Sequence, residues 1–385
     1  MVRCDPGANI DVRRPMSAPA PSRKPANSNY IWLDRLLRLP GVEFQQLHCR
    51  ILNLLGAGMQ RREFMALVGG ATAAWPLGAR AQKVPVRIGF LGSGAAGSAF
   101  STAQVDNIKQ GLRENGLVDG RDYVLDAQFA AGDYELFPAM TRKLAQAGVR
   151  MILVNTIAST RAAQNVNPPV PVVMLNINDP VGTGLVESLA RPGGFTTGMA
   201  SLSEDLTPKL LECQREVVPK ASVIAALFNP ANPTNPPYVT KLSAAAGAMG
   251  ITVLPVALKS PGELDSVFSA LVARQPDTLQ LIGDTGNMDL ADRIAALAIA
   301  HRIPSFSTYA PFAILGGLLT YGITEQDLFT RAAFFVKRIL GGATPSELPV
   351  EQPTRIALFI NLKTAKALDL IIPPTLISRA DQVIE

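Results

Sequence analysis

From Val84 onward, short apolar runs alternate with segments of helical period. Strands are predicted over 86–91, 123–129, 151–154 and 170–175, and helices over 103–115, 137–147, 160–164 and 182–190, the last closed by Arg191-Pro192-Gly193-Gly194. After a segment at 196–200 the rhythm restarts, with helices over 206–217, 238–249, 263–273 and 289–301 and strands over 223–228, 252–256, 278–282 and 305–307. A third stretch, 317–341, carries Gly322 and a helix over 325–340 stopped by Gly341-Gly342; the tail holds a short strand at 356–360. Strands alternating with helices make βαβ units, so the sheets are parallel and covered on both faces. The pattern gives an α/β protein of two lobes in series, and the returning segments make the chain cross between lobes more than once.

Upstream the pattern changes. Arg61-Arg62-Glu63-Phe64-Met65 is a twin-arginine motif followed by a small-residue apolar stretch over 66–77 and then Ala79-Arg80-Ala81. That is the order of a bacterial signal peptide: a basic start, an apolar segment too short to span a bilayer, and small residues flanking a cleavage site after Ala81. The positions that carry it are Arg61, Arg62, Phe64, Ala79 and Ala81, with Met59 as a natural start. Residues 59–81 are thus read as a twin-arginine signal peptide and 1–58 as an N-terminal extension, disordered or arising from a misplaced start. The expected destination is the periplasm.

Charge sharpens this division. The 385-residue chain carries a formal +5, but residues 1–81 hold 11 Lys and Arg against 5 Asp and Glu, and residues 82–385 hold 25 against 26. The basic surplus lies in the leader and extension, which excludes a phosphate-tracking surface on the folded body and with it nucleic acid as a partner. Three cysteines and two histidines exclude zinc clusters and a disulfide scaffold. Cys213, alone after the leader, reads as a small buried hydrophobe. His301 closes an apolar helix, where a cation is structurally favourable, and no second histidine follows the leader to pair with it. No G-x-S-x-G elbow is present, so no catalytic residues and no metal site are assigned, and the chain is read as not an enzyme.

Open parallel sheets bind ligands beyond the carboxyl ends of their strands. The loops there are Gly92-Ser93-Gly94-Ala95-Ala96-Gly97, Asn155-Thr156-Ile157-Ala158-Ser159, Asn176-Ile177-Asn178-Asp179-Pro180, Asn229-Pro230-Ala231-Asn232, Gly283-Asp284-Thr285 and Ser307-Thr308-Tyr309. Their uncharged hydrogen-bonding groups, with acids at Asp179 and Asp284, suit a small polar or zwitterionic ligand. The first loop is also a literal G-x-G-x-x-G between a strand and a helix, the setting of a dinucleotide fingerprint. The acid expected about 20 residues on is missing; Asp126 stands 34 residues after Gly92 and inside its strand. Three readings stand for this loop: a nicotinamide-dinucleotide site in an exported oxidoreductase, a smaller anion held by Ser93, Gly94 and helix N-terminal amides, or a turn with no ligand.

The tail Leu348-Pro349-Val350-Glu351-Gln352-Pro353-Thr354, through Ile360-Asn361-Leu362-Lys363-Thr364-Ala365-Lys366-Ala367-Leu368 and Ile372-Pro373-Pro374 to Arg379-Ala380-Asp381, closely resembles one family. So do Asn178-Asp179-Pro180-Val181, Arg191-Pro192-Gly193-Gly194 and Gly316-Gly317-Leu318-Leu319-Thr320-Tyr321-Gly322. These resemble the ABC-transporter substrate-binding proteins of the tryptophan-binding type, over nearly all of 84–385. The resemblance implies a periplasmic-binding-protein type I fold: two Rossmann-like lobes with parallel sheets joined by three crossovers, divided as 84–200 plus about 310–345 and 201–309 plus about 350–385. It implies no cofactor, a small-molecule ligand in the interlobe cleft (an amino acid, an aromatic or other organic acid) and delivery to an ABC permease in the inner membrane. A sensing subunit that presents its closed lobes to a membrane receptor is the other reading.

Carried over by position, Asn178, Asp179 and Asp284 face the ligand ammonium, Ser93, Thr156 and Ser159 its carboxylate, and Tyr309 and Tyr321 its side chain. Gly94, Asn155, Asn229 and Thr285 complete the candidate set. The chain departs from the family in Thr285-Gly286-Asn287, where an aromatic pair is frequent, in Asn155-Thr156, where small residues are usual, and in Asp369, which replaces a glycine. Loss of aromatic surface weighs against tryptophan as the ligand.

Overall fold

The computed structural model describes residues 84–385, apart from the side chain of Thr285. The extension over 1–58 and the leader with Arg61, Arg62, Phe64, Ala79 and Ala81 lie outside the described residues.

Two sheets organise the described residues. The first has five parallel strands in the order β2 (Tyr123–Phe129), β1 (Val86–Gly92), β3 (Met151–Val154), β4 (Val172–Ile177) and β5 (Thr196–Ala200). Alternation along its strands feeds two layers. Ile88, Phe90, Leu153 and Val173 point to helices α1 (Ala99–Glu114) and α10 (Glu325–Leu340), while Leu91, Ile152, Val154 and Val172 point to α2 (Phe137–Gln146) and α3 (Ile157–Gln164). A sheet covered on both faces has near-continuous apolar strands, which is why β3 reads Met-Ile-Leu-Val and every residue of it is buried.

The second sheet has seven strands, β12 (Gln382–Ile384), β11 (Ala357–Asn361), β10 (Leu319–Ile323), β9 (Ser305–Tyr309), β8 (Thr278–Leu281), β6 (Val223–Phe228) and β7 (Thr252–Ala257), in that order. Only the β10–β11 pair is antiparallel. Helices α4 (Thr207–Val217) and α5 (Asn235–Gly247) cover one face, and α6 (Leu264–Ala273) and α8 (Ala291–Ala300) the other. The short helices α7 (Thr285–Met288), α9 (Pro311–Ile314), α11 (Leu362–Ala367) and α12 (Pro374–Ile377) fill the connections. Cys213 is fully buried on α4, and burial pushes its thiol up, as expected of a packing residue. His301 caps α8 and stacks on Phe268.

The chain passes between sheets after β5, again between β10 and α10, and a third time after residue 351, where Glu351 lies beside Met199 of β5. The second passage comes later than the division near residue 310 predicted from sequence, because β10 is hydrogen-bonded into the second sheet between β9 and β11. Its register against β9 shifts between Thr320 and Ile323, and at Gly322 a Cβ would stand 1.7 Å from the Thr308 carbonyl oxygen. That close approach turns the chain out of the sheet and into α10.

The helix predicted over 182–190 is a run of turns instead. Gly184 has φ +71°, and the Leu185 and Val186 amides both donate to the Pro180 carbonyl, so the backbone folds back and tucks both side chains into the core. Two helices start earlier than their apolar pattern: α1 because the Ser98 side chain accepts from Ser101 N–H at 3.1 Å, and α5 because Pro236 and Pro237 suit a first turn. Asp369 takes φ +55°, the left-handed conformation that a glycine at this position adopts without strain.

Helix α10 is the element that returns to the first lobe, and it packs closely on α1 at Gly111. A Cβ there would lie 2.7 Å from the Phe329 carbonyl oxygen, so a side chain must force the helices apart. Gly111→Leu is expected to lose about 1–3 kcal/mol of stability, the usual scale of overpacking. Urea denaturation measures this; an unchanged midpoint would contradict the close approach.

Candidate functional site

The carboxyl ends of both sheets face a common cleft, which encloses a cavity of about 110 Å³. The first lobe contributes Gln104 of α1, Asn155 and Thr156 beyond β3, and Asn176 and Asn178 at the end of β4. The second contributes Asn232, Tyr238, Asp284, Thr308 and Tyr309, and Glu325 enters from the start of α10.

Asp284 is 5% exposed and is the most heavily bonded group of the cleft. Asn229 Nδ2 donates to its Oδ1 at 3.0 Å and Asn232 Nδ2 to its Oδ2 at 2.8 Å. The amides of Gly286 and Asn287 donate at 3.0 and 3.3 Å, and the Tyr134 hydroxyl reaches across from the first lobe at 2.8 Å. Burial, and then the neighbouring carboxylate, raise the Tyr134 phenol well above its ordinary value, so it remains a donor. A buried carboxylate needs such partners, because an uncompensated one is expensive. Asn229 is itself held by its backbone amide donating to Asn235 Oδ1 at 3.0 Å.

The glycine-rich loop is occupied by the protein itself. Asp289 of the second lobe accepts from Ala95 N–H at 3.0 Å and from Ser98 Oγ at 2.5 Å, so the N-terminal end of α1 already has its anion. The carbonyls of Ser93 and Gly94 accept from Gly132 and Ala131 at 2.8 Å each, which ties the loop to the chain after β2. Ser93 is fully buried beside the Tyr134 hydroxyl, and neither Ser93 nor Gly94 lines the cavity. This arrangement answers the G-x-G-x-x-G motif with a turn and an interlobe contact, and it counts against a dinucleotide there.

At α3, Thr156 and Ser159 form a capping box: Thr156 Oγ1 accepts from Ser159 N–H at 3.0 Å and Ser159 Oγ from Thr156 N–H at 3.1 Å. Both side chains are thereby committed to starting the helix, and of the two only Thr156 lines the cavity.

Glu325 is held differently from Asp284. Gln104 Nε2 and Asn107 Nδ2 approach its two oxygens at 3.5 and 3.4 Å, at the limit of hydrogen bonding. Burial pushes its carboxyl up to about 7, against the opposing pull of Tyr309, Gln104 and Asn107. Tyr309 stands beside it, its phenol raised by burial and then by Glu325, and packs edge-on against Phe100 at 5.8 Å between ring centroids.

Of the positions singled out from sequence, Asn155, Thr156, Asn178, Asp284 and Tyr309 line the cavity. Asp179 does not: it is exposed at φ +38°, with Oδ1 accepting from Gly182 N–H at 2.8 Å in a turn. Asn229 stands behind Asp284, and Tyr321 packs between two core clusters. The Thr285 side chain lies outside the described residues. Sequence reasoning missed Gln104, Asn176, Tyr134, Asp289 and Glu325 as site residues. The available signal was the placement of Glu325 directly after the Gly322 turn, at a passage between lobes. Among the described residues no group of three or more His, Cys, Asp or Glu is placed to hold a metal ion.

Residues 99–384 match the family model described as ABC transporter substrate binding protein. A tyrosine-binding protein of Clostridioides difficile is 27% identical over 271 residues, covering 69% of this chain and 77% of that protein. Among solved structures, a conserved domain protein from Vibrio cholerae matches with a TM-score of 0.70 at 21% identity, over 77% of this chain and 99% of that one. An ABC domain from Streptococcus pneumonia, solved in complex with L-Trp, matches with a TM-score of 0.68 at 24% identity, over 78% and 100%. At these identities the structural likeness establishes the fold, and the family match, spanning most of the chain, establishes the kinship. The chain belongs to the ABC transporter substrate-binding protein family, solute-binding proteins rather than enzymes, and has the two-lobe type I periplasmic binding fold.

Proposed function

We propose that this chain is the exported solute-binding component of an ABC uptake system, taking a small amino-acid-like or organic-acid ligand into the interlobe cleft and delivering it to a permease. The observation that carries this reading is the cavity itself, whose polar wall is assembled from the strand ends of both lobes. Members of the family work outside the cytoplasm, and the leader at Arg61-Arg62 to Ala81 supports export to the periplasm by the twin-arginine route. The tyrosine-binding relative supports an amino acid as the ligand. The nicotinamide alternative loses its support, since Asp289 fills the place a pyrophosphate needs.

Two interlobe contacts, Asp289 with Ala95 and Ser98, and Tyr134 with Asp284, hold the cleft together from the protein side. A ligand that touches both lobes adds to them and shifts the population further toward closure.

Thermal melting of the purified full chain against amino acids and organic acids tests the reading. A ligand at a hundred times its Kd adds about 2.7 kcal/mol, which for a protein of this size raises Tm by roughly 3–5 °C. Silence toward the whole panel would contradict it. The interlobe contacts make a second prediction: the pair Asp289→Ala and Tyr134→Phe removes both, so the ligand-free protein is expected to show a larger radius of gyration in solution scattering. Ligand affinity should fall about tenfold or more, because charge-assisted hydrogen bonds that favour the competent state are lost. An unchanged radius and affinity would remove their role in closure.

A further inference from the structure

Two chambers meet at Glu325. One is the polar cleft cavity; the other, of about 440 Å³, runs along α1 and α9 and has Ala103, Met288, Ile314 and Leu315 in its wall. Phe100, Met288, Tyr309 and Glu325 belong to both. Among the described residues, the linings of the two chambers include four carboxylates, Asp284, Asp289, Asp292 and Glu325, and no Lys, Arg or His. Asp284 is saturated with donors, Asp289 is spent on the start of α1, and Asp292 is exposed and accepts from Arg293 N–H at 2.7 Å. Glu325 alone of the four faces the cleft with amide contacts at the limit of hydrogen bonding, the Tyr309 phenol standing beside it.

The amide orientations around Glu325 follow from its charge. An ionised carboxylate accepts only, so Gln104 presents its nitrogen to it and turns its oxygen to Asn155. Asn155 then donates from Nδ2 to that oxygen at 3.3 Å, which leaves Asn155 Oδ1 buried with no hydrogen-bond partner among the described residues. Asn176 Oδ1, at the end of the neighbouring strand, is buried and unpartnered in the same way. The cavity wall thus holds three acceptors, and an ammonium group has three N–H donors.

We propose that Glu325, with the amide oxygens of Asn155 and Asn176, seats a ligand ammonium, so that the cleft selects amines with an apolar substituent over the matching carboxylic acids that lack the amine. The substituent enters the larger chamber past Phe100 and Tyr309. This rests on the solute-binding reading above and names its ligand class and the residue that sets it.

Proton linkage follows. The groups around Glu325 are the phenol of Tyr309 on β9, the uncharged Gln104 and Asn107 on α1, the acids Asp289 and Asp292 across the larger chamber, and on its own helix Asp327, bonded to Thr324 and near Arg355. An ammonium pairs with the ionised form. With Glu325 titrating at about 7, amine affinity rises as pH climbs through that value and falls roughly tenfold from pH 8 to pH 6. The ligand-free protein behaves oppositely: the raised carboxyl pKa favours the folded state at low pH, and that stability is lost as pH rises from the ordinary 4.5 through about 7.

Calorimetry with the purified full chain tests this with matched probes: leucine against 4-methylpentanoate, phenylalanine against 3-phenylpropanoate, and phenethylamine alone. The expected result is that an amine-bearing member binds at least tenfold tighter than its acid, and that Glu325→Gln weakens the amine about ten- to a hundredfold without weakening the acids. The same variant is expected to melt higher than the parent at pH 8, which separates lost affinity from lost folding. An acid that binds as tightly as its amine, or an amine unaffected by Glu325→Gln, overturns the ammonium seat and leaves the solute-binding reading intact; a panel with no binder overturns both. Should the variant not fold, the amine-to-acid ratio and the pH profile of the parent decide alone.

Discussion

A buried carboxylate must be matched, and at Asp284 the matching groups come from both lobes. Asn229, Asn232 and two backbone amides hold it from its own side, and Tyr134 adds a fifth donor from the other. The second lobe can preorganise this group by itself, but its environment is complete only when the first lobe approaches. Asp289 imposes the same condition in the opposite sense, giving a carboxylate of the second lobe to the Ala95 amide and the Ser98 hydroxyl just before α1. These contacts tie closure of the cleft to the pairing of polar groups rather than to apolar burial, which suits a surface that must also open.

Around these fixed pairs the cleft keeps a group that is not matched. Glu325 sits where the chain leaves β10 and begins α10, the passage at which the second sheet hands over to the first lobe. Its position is set by the Gly322 turn on one side and by the packing of α10 on α1 at Gly111 on the other. In the proposed seat a ligand group would meet Gln104 of the first lobe and Tyr309 of the second at once, so binding and closure would draw on the same geometry. The wall is negative where it is charged and rich in amides elsewhere, a combination that favours a zwitterion whose carboxylate relies on neutral donors.

The fold was legible in the sequence where burial is local. The predicted strands at 123–129, 151–154 and 223–228 and the helix at 325–340 coincide with β2, β3, β6 and α10, because their apolar periods are bounded by turn residues. The apolar spacing over 182–190 misled because Pro180 and the positive φ of Gly184 override it, and the two leucine- and valine-bearing turns reach the core without a helix. Sheet membership of β10 is set by its pairing with β9 and β11 and has no signature in its own residues. The site divides in the same way. Strand-end residues such as Asn155 and Asp284 were visible from the rule that parallel sheets bind ligands at their carboxyl ends. Gln104, Tyr134 and Asp289 were not, because each matters through a partner 150 or more residues away.

Native mass spectrometry of the full chain incubated with a mixture of amino acids, their deaminated acids and nicotinamide dinucleotide addresses the central claim most directly. Closure of two lobes over one small zwitterion predicts a single one-to-one adduct whose mass is that of an amine-bearing amino acid. A dinucleotide adduct or no adduct at all would contradict the account, and an adduct formed only by deaminated acids would contradict the ammonium seat.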